Sequence, residues 1–470
     1  MVRALADRTD PDLERRRLGG CSGYCQRVKK SPDPTRGFSP EIFAARRKRV
    51  LADLDGSALV LSSETDPSGG RHRPDRDLFY LTGVTEPGAV AVLRPDGEDG
   101  DFVLFVRVRN AEEERWSGER LGPDRAGEMF GADTAYGSDV LSKRLPKLLA
   151  GAKGVYFRIG SESPLQSLVV GALQAARLQG ARKGVGPCGI IDPGQLLDPQ
   201  RLMKHPEELE RMRSAASITV EAFAEMLGAV GQGVGEWELE GILDGAFRRK
   251  GGGGPSYPTI VGSGANACVL HYVDNNCRMG DGDLVLVDAG AEADLYVSDV
   301  TRTFPVSGSF TAAQRAIYDV VLEAHDRAIE AIQPGVTVES IHHTARNVCI
   351  DGLLELGVLD GDKEKVIGTE AYKAFFPHQT SHWLGLDVHD VGDYAHSGVS
   401  RVLEQGMVLT VEPGLYFQGA VEGSAGAADY VGIGIRIEDD VVVTAEGHEV
   451  LTAALPVSAE EIEGLVGGKG

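Results

Sequence analysis

The sequence predicts two domains, an α/β domain over residues 38–190 and an α+β domain over residues 191–470. In the first, short apolar runs alternate with helical stretches over about 150 residues. In the second, strand-like runs flank several long helical stretches. Residues 184–204 carry three prolines and several glycines, which is typical of a linker. Residues 1–37 are basic and rich in Gly and Pro, so we expect a poorly ordered extension.

The elements of the first domain follow from apolar patterning. A helix is predicted over residues 41–54 and another over residues 164–178. Pro95-Asp96-Gly97 has the composition of a turn between two strands. The apolar runs typical of strands are residues 58–61, 89–93, 102–106 and 154–159.

The second domain contains clear helix starts and stops. Pro206-Glu-Glu208 places proline and acids in a first helical turn. Thr311-Ala-Ala-Gln314 has the form of a capping box, and the helix that follows should end near residue 332, before Gln333-Pro-Gly335. A further helix is predicted over residues 338–356. Strands are predicted in 256–262, 283–305, 407–411, 432–439 and 440–444.

Composition excludes several classes of protein. Of the 470 residues, 42% are hydrophobic and 25% are charged, which is ordinary for a globular enzyme. The net charge of −22 argues against nucleic acid or an anionic membrane as a partner, because both require a basic surface. No apolar stretch is long enough for a membrane helix or a signal peptide, and the six cysteines show no paired spacing. We therefore expect a cytoplasmic protein.

Two aspartates flank a predicted hairpin. If Ala293-Asp294 is a two-residue turn, Asp288 and Asp299 lie directly opposite each other on one face. Like charges in that position are destabilising, so a divalent cation between them is the simplest expectation. The alternative is two hydrated surface aspartates, but the run of residues 284–287 is too apolar for an exposed strand.

A second group of candidate ligands lies further along the chain. His378, His382 and His389 fall within twelve residues, although the whole chain has only 11 histidines. Glu412 ends a strand before Pro-Gly, and Glu438 follows Arg436 on the same strand face. Taken singly, Glu412 could be a turn residue and Glu438 a surface acid paired with Arg436. Four carboxylates with one imidazole can hold two divalent ions, and this donor set suits Mn²⁺, Co²⁺ or Zn²⁺ better than Ca²⁺.

At these residues the chain resembles the Xaa-Pro aminopeptidases (aminopeptidase P) of the pita-bread metallopeptidase superfamily. The resemblance extends from about Pro40 to the C-terminus and implies a creatinase-like N-terminal domain and a pita-bread C-terminal domain. The motifs that carry it are Pro255-Ser-Tyr-Pro-Thr-Ile-Val-Gly-Ser-Gly264, Val269-Leu-His-Tyr272, Val287-Asp-Ala-Gly290, Ser298-Asp-Val-Thr-Arg-Thr-Phe-Pro305, Ser381-His-Trp-Leu-Gly-Leu-Asp-Val-His-Asp390, Val411-Glu-Pro-Gly414 and Gly432-Ile-Gly-Ile-Arg-Ile-Glu-Asp439.

The resemblance implies roles for individual residues. Asp288 would bind one metal ion, His382 and Glu412 a second, and Asp299 and Glu438 both; manganese is the metal it points to. Glu412 would also carry the proton. The remaining implied residues are His271 and His389 against the substrate or the tetrahedral intermediate, His378 on the proline side of the cleft, Arg436 beside the bridging glutamate, and Trp116 at a neighbouring subunit's cleft or in plain interface packing.

The implied substrate is a peptide with proline second, and the implied assembly is a homodimer or homotetramer. Two departures from the family pattern bear on substrate preference: Pro258 stands where Asn is usual, and Gln379-Thr380 replaces a glycine-containing step. One alternative is prolidase, which shares the ligand set but cuts only dipeptides. An alternative of another class is a catalytically inactive pita-bread scaffold that binds proteins, although such scaffolds lose ligands that are all present here.

Overall fold

The computed structural model describes residues 35–63, 72–160, 164–183, 186–419 and 425–466. The chain divides into two compact units, the first ending at Pro193 and the second beginning at Gly194. Of the expected basic extension, residues 1–34 lie outside the described part of the chain. Among the described helices, none is both long enough and apolar enough to cross a membrane.

The first unit confirms the α/β prediction, and its first helix and first three strands lie within one or two residues of the predicted positions. The strand expected over 154–159 is shorter than predicted. The helices are Pro40–Asp53 (α1), Arg76–Thr82 (α2), Ala111–Ser117 (α3), Gly122–Phe130 (α4), Leu141–Leu149 (α5) and Pro164–Gly180 (α6). The strands are Ala58–Ser62 (β1), Val90–Leu93 (β2), Phe102–Val106 (β3), Thr134–Gly137 (β4), Val155–Tyr156 (β5) and Ile190–Ile191 (β6).

These strands form one mixed sheet in the order β4-β3-β2-β1-β5-β6. The pairs β1/β2 and β2/β3 are antiparallel, whereas β3/β4, β1/β5 and β5/β6 are parallel. Alternate residues such as Val60, Val92 and Phe105 share a core with Leu145 of α5 and Val169 of α6. The period of two along each strand therefore decides which face is buried against helices.

The second unit combines helices with several small sheets, in agreement with the α+β prediction. Its helices are Gly194–Leu202 (α7), Pro206–Leu227 (α8), Glu236–Arg249 (α9), Ala312–Glu330 (α10), Val338–Glu355 (α11), Lys363–Thr369 (α12) and Ala459–Leu465 (α13). Its strands are Gly254–Pro255 (β7), Ile260–Ser263 (β8), Leu284–Ala289 (β9), Ala291–Ala293 (β10), Tyr296–Val297 (β11), Val300–Pro305 (β12), Ala395–His396 (β13), Val399–Ser400 (β14), Val408–Val411 (β15), Gly414–Tyr416 (β16), Gly434–Arg436 (β17), Asp439–Val443 (β18) and His448–Val450 (β19).

Helix α8 packs against α9, and α10 packs against α11. Both pairs and the strands contribute to one large apolar core. The strands form sheets β12-β9-β8, β15-β18-β19, β11-β10-β7, β16-β17 and β13-β14. The predicted capping box is confirmed: Gln314 N donates to Thr311 Oγ1, and Thr311 N donates to Gln314 Oε1. Part of the predicted linker is helical, because α7 buries Leu197 and Leu202 despite Pro199 within it.

The predicted register of the hairpin is wrong. Ala293 pairs with Tyr296, so the turn residues are Asp294 and Leu295, both with positive φ (48° and 76°). In the continuing ladder Asp288 faces Thr301 and not Asp299. Leu295 is 2% exposed, and its burial offsets the unfavourable φ, so the core and not the turn chemistry decides the register.

Gly290, between β9 and β10, lies directly against the backbone of Ser298, between β11 and β12. A Cβ atom added there would lie 1.7 Å from the carbonyl oxygen of Ser298. We therefore expect Gly290→Ala to lower the free energy of unfolding by about 3 kcal/mol, measured by denaturant titration. The matched control is Gly241→Ala in α9, where nothing lies within 4 Å and where alanine should stabilise the helix by up to about 1 kcal/mol. Equal stability of Gly290→Ala and the unsubstituted protein would contradict this account.

Candidate metal centre

A cavity of about 430 Å³ lies in the second unit, where several strands end. Asp288 lies near the end of β9, Asp299 comes just before β12, Glu412 follows β15, and Glu438 precedes β18. The cavity is lined by Tyr257, Pro258, Ile260, Leu270, His271, Val273, Asp288, Asp299, His378, Gln379, Ser381, His382, Val388, His389, Glu412, Arg436 and Glu438. All five predicted metal ligands therefore line one cavity, although they span 150 residues of sequence.

His382 is fixed by the strand beside it. Its backbone N donates to Thr410 Oγ1, and Thr410 N donates to its carbonyl oxygen. The ring Nδ1 lies 3.1 Å from the carbonyl oxygen of Trp383. Because a carbonyl only accepts, Nδ1 carries the proton, and Nε2 is left to face Asp299 Oδ2 at 3.3 Å and Glu412 Oε1 at 3.6 Å. Nε2 is therefore the ring nitrogen available to a metal ion, and a bound ion would replace the proton that Nε2 holds towards these carboxylates.

Tyr257 lies between the first two aspartates. Its hydroxyl is 2.5 Å from Asp288 Oδ1 and also contacts Asp299 Oδ1. A phenol has one proton and can donate to only one of these oxygens at a time. The phenol therefore bridges the two carboxylates but supplies a proton to one of them at a time.

Arg436 is the buried cation of the site. Its Nη2 lies 2.5 Å from Asp288 Oδ2, Nε donates to Thr301 Oγ1, and Nη1 donates to Tyr416 Oη. Thr301 Oγ1 in turn donates to Glu438 Oε2 at 2.6 Å. One guanidinium therefore orients Asp288 directly and Glu438 through a hydroxyl.

The charges of the site fit divalent cations. Burial raises the pKa of Glu412 to about 7, and burial together with Asp299 and Glu412 holds the pKa of Glu438 well above its usual range. Burial lowers the pKa of His382, but Asp299 and Glu412 outweigh it and raise the pKa to about 9. The protein alone thus retains protons to neutralise an excess of negative charge, and bound cations would replace them.

Distances also agree with a metal site. Among the described residues, Asp299, His382 and Glu438 each offer a ligand atom, and these atoms lie within 4.8 Å of one another. Asp288 and Glu412 line the same cavity without joining that closest set. Oxygen ligands with one imidazole suit Mn²⁺, Co²⁺ or Zn²⁺.

The other predicted residues fall into two groups. His271, His378 and His389 line the cavity with Arg436, and the rings of His382 and His389 pack edge to face at 4.5 Å. His378 Nδ1 lies 2.8 Å from the carbonyl oxygen of Gln379, so its Nε2 accepts from Tyr416 Oη. Trp116 belongs to the first unit, where it is 90% exposed, and it does not line this cavity.

A second cavity of about 660 Å³ adjoins the first. The two share Gln379, Ser381, His382 and His389. Its other lining residues come from the start of α11 and from the β13–β14 hairpin: Val338, Glu339, His342, Tyr394, Ala395, Gly398 and Ser400. Space therefore continues from the candidate metal centre towards α11.

Some residues of the site were not identified from the sequence. Tyr257 stands in the motif Pro255-Ser-Tyr, which was a usable signal for it. Tyr416, four residues after Glu412, links Arg436 to His378, and nothing in its local sequence indicates that position. The ring of Tyr394 stacks on that of Trp383 with centroids 5.2 Å apart, and its local sequence does not indicate that position either.

Two family profiles match the chain. Residues 210–445 match metallopeptidase family M24, and residues 43–156 match the N-terminal domain of aminopeptidase P. Xaa-Pro aminopeptidase of Escherichia coli is 42% identical over 91% of this chain and 98% of the relative. Human Xaa-Pro aminopeptidase 3 is 34% identical over 91% of this chain and 86% of the relative.

Solved structures show the same likeness. The aminopeptidase PepP of Pseudomonas aeruginosa superposes with a TM-score of 0.86 at 41% identity, covering 91% of this chain and 98% of that one. A substrate complex of Escherichia coli aminopeptidase P superposes with a TM-score of 0.84 at 42% identity, with the same coverage. The chain therefore belongs to metallopeptidase family M24 and has the two-domain, pita-bread architecture of the Xaa-Pro aminopeptidases.

Proposed function

We propose that the cavity at Asp288, Asp299, His382, Glu412 and Glu438 hydrolyses the bond between an N-terminal residue and a following proline in peptides. The chain is a metal-dependent hydrolase of the Xaa-Pro aminopeptidase class, as its relatives indicate. The observation that carries the assignment to this cavity is the convergence of all five proposed ligand residues in it, in a chain similar to Xaa-Pro aminopeptidases over nearly their whole length.

We assign the metal ligands as follows: Asp288 to one ion, His382 and Glu412 to the other, and Asp299 and Glu438 to both. When bound, two such ions would lower the pKa of the attacking water and polarise the scissile carbonyl. Manganese is the proposed native metal, because a set of four carboxylates and one imidazole suits it well. Metal analysis of the purified protein, followed by reconstitution of the stripped protein with Mn²⁺, Co²⁺ or Zn²⁺, tests this choice.

The protein's own groups supply proton transfer and positioning. Glu412 takes the proton from the water and delivers it to the proline nitrogen as the bond breaks. His271 and His389 face the cavity and would donate hydrogen bonds to the oxygen of the scissile carbonyl as charge develops there. The neutral ring of His378, whose pKa burial lowers to about 4, forms the wall against the proline ring.

The second cavity favours peptides over dipeptides. It continues from His382 and His389, and in the proposed binding mode it would accept residues that follow the proline. We expect the Mn²⁺-loaded protein to release arginine from Arg-Pro-Pro and to cleave Ala-Pro at least about tenfold less efficiently, since the dipeptide leaves this space unfilled. The measurement is kcat/KM for both peptides by chromatography of the released residue.

The same assay separates the alternatives. Cleavage of Ala-Pro without cleavage of Arg-Pro-Pro would assign the chain to prolidase. The absence of both cleavage and bound metal would support a non-catalytic scaffold. If two metals are bound but neither peptide is cleaved, the proposed metal centre stands and the proposed substrate is refuted.

Assembly and location complete the proposal. A homodimer or homotetramer is supported by Trp116, an exposed tryptophan available for contact with another copy. Light scattering coupled to gel filtration, on the protein and on Trp116→Ala, tests it: the substitution should shift the mass towards the monomer. A reducing cytoplasm is supported by the described cysteines, Cys188, Cys268, Cys277 and Cys349, which are free thiols.

A further inference from the structure

His271 lies on a long connection between β8 and β9. After the short 3-10 helix Gly264–Cys268, this connection has no strand until Leu284. Among the described residues of this connection, the one isolated β-bridge joins Arg278 to Gly235. Backbone hydrogen bonds to residues 233–236 hold this connection at Cys277 and Met279, so its path before Cys277 depends on side chains.

A single carboxylate supplies much of that fixation. Glu236, at the first position of α9, is 0% exposed. Its Oε1 accepts from Ser263 N and Oγ, both at 2.7 Å, and from Asn266 Nδ2 at 3.2 Å. Its Oε2 accepts from Tyr272 Oη at 2.9 Å and from Cys277 N at 2.8 Å. Glu236 thus holds both ends of the segment 263–277 and the residue next to His271.

The chemistry of these contacts requires a carboxylate. All five partner groups donate to the carboxylate. They are the backbone N–H groups of Ser263 and Cys277, the Ser263 hydroxyl, the Asn266 amide and the Tyr272 hydroxyl. Burial alone would raise the pKa of Glu236, but hydrogen bonds from Ser263, Cys277 and Asn266 outweigh it and hold the pKa below its usual range. A glutamine would present an NH₂ group to groups that themselves donate, most directly to Cys277 N–H.

We propose that Glu236 is a positioning residue for His271, acting through Ser263, Tyr272 and Cys277 to hold the imidazole in the lining of the cavity. Glu236 is not among the described residues that line the cavity. The inference rests on the proposed function, because the role of His271 belongs to it. It adds a requirement outside the cavity: the reaction depends on a buried carboxylate at the start of α9.

The test uses Glu236→Gln and Tyr272→Phe, each alone and combined with His271→Ala. We expect Glu236→Gln to lower kcat by about ten- to hundredfold with KM within about twofold, because a small displacement of a group in a reacting site has effects of this size. Metal content should stay the same. In the His271→Ala background the further fall should disappear, since the residue being positioned is already absent.

Hydrogen exchange provides a readout that does not depend on activity. Peptides covering residues 264–277 should exchange faster in Glu236→Gln than in the unsubstituted protein, without substrate present. The matched control is Glu208→Gln, another buried carboxylate at a helix start, which accepts from Tyr296 Oη and His205 N. It should leave exchange in 264–277 unchanged and show no coupling to His271→Ala.

Two results would overturn the inference: unchanged exchange in 264–277, or an equal fall in kcat with and without His271. If Glu236→Gln does not fold, Tyr272→Phe removes one hydroxyl and carries the same coupling test. If the unsubstituted protein cleaves no Xaa-Pro peptide, the proposed function fails, while the exchange measurement still decides whether Glu236 anchors the segment.

Discussion

Asp299→Ala is expected to lower kcat/KM for Arg-Pro-Pro on the order of 1000-fold or more. Asp299 is one of three residues whose ligand atoms converge within 4.8 Å, and its carboxylate contacts both Tyr257 and His382. Removing it leaves the proposed pair of metal ions with Glu438 as their one remaining shared ligand. Initial rates and metal content of the reconstituted protein measure the effect.

The control for this substitution is Asp319→Ala. Asp319 lies on α10, where its half-exposed carboxylate pairs with Arg315. An exposed pair of this kind contributes little, so activity and metal content should stay within about twofold of the unsubstituted protein. An Asp299→Ala protein that keeps both metals and more than about a tenth of the activity would refute the ligand assignment.

Arg436→Met is expected to destabilise the protein by about 3–5 kcal/mol and to lower activity by about 10–100-fold. Arg436 is 4% exposed and is bonded to Asp288, Thr301 and Tyr416. Methionine fills much of the volume but leaves the buried carboxylate of Asp288 without its cation. Denaturant titration of the metal-free protein measures the stability, and metal titration measures the loss of affinity.

Arg327→Met is the matched control, because it makes the same chemical change on a surface. Arg327 lies on α10 and pairs with Glu323 and Glu330, all of them exposed. The free energy of unfolding should change by less than about 0.5 kcal/mol. Equal effects of the two substitutions would show that Arg436 contributes no more than a surface ion pair.

Much of the fold could be predicted because its signals are local. The Thr311–Gln314 capping box joins residues three apart, and the first three strands of the first unit are apolar runs in the sequence. The proposed ligand set could also be named from the sequence, since Asp288, Glu412 and the histidines stand in distinctive motifs. These features depend on side chains within a few residues of one another, so the linear sequence contains the information.

The tertiary structure decided what depends on distant contacts. The hairpin register followed the burial of Leu295 and not the turn predicted at Ala293-Asp294. Arg436 meets Asp288 across 148 residues of chain, and Glu236 reaches Cys277 across 41. The sequence by itself determined the fold class and the family, and it named the residues proposed here as metal ligands. Only the packed core determined which oxygens and nitrogens meet, because that depends on how separate elements bury their apolar faces together.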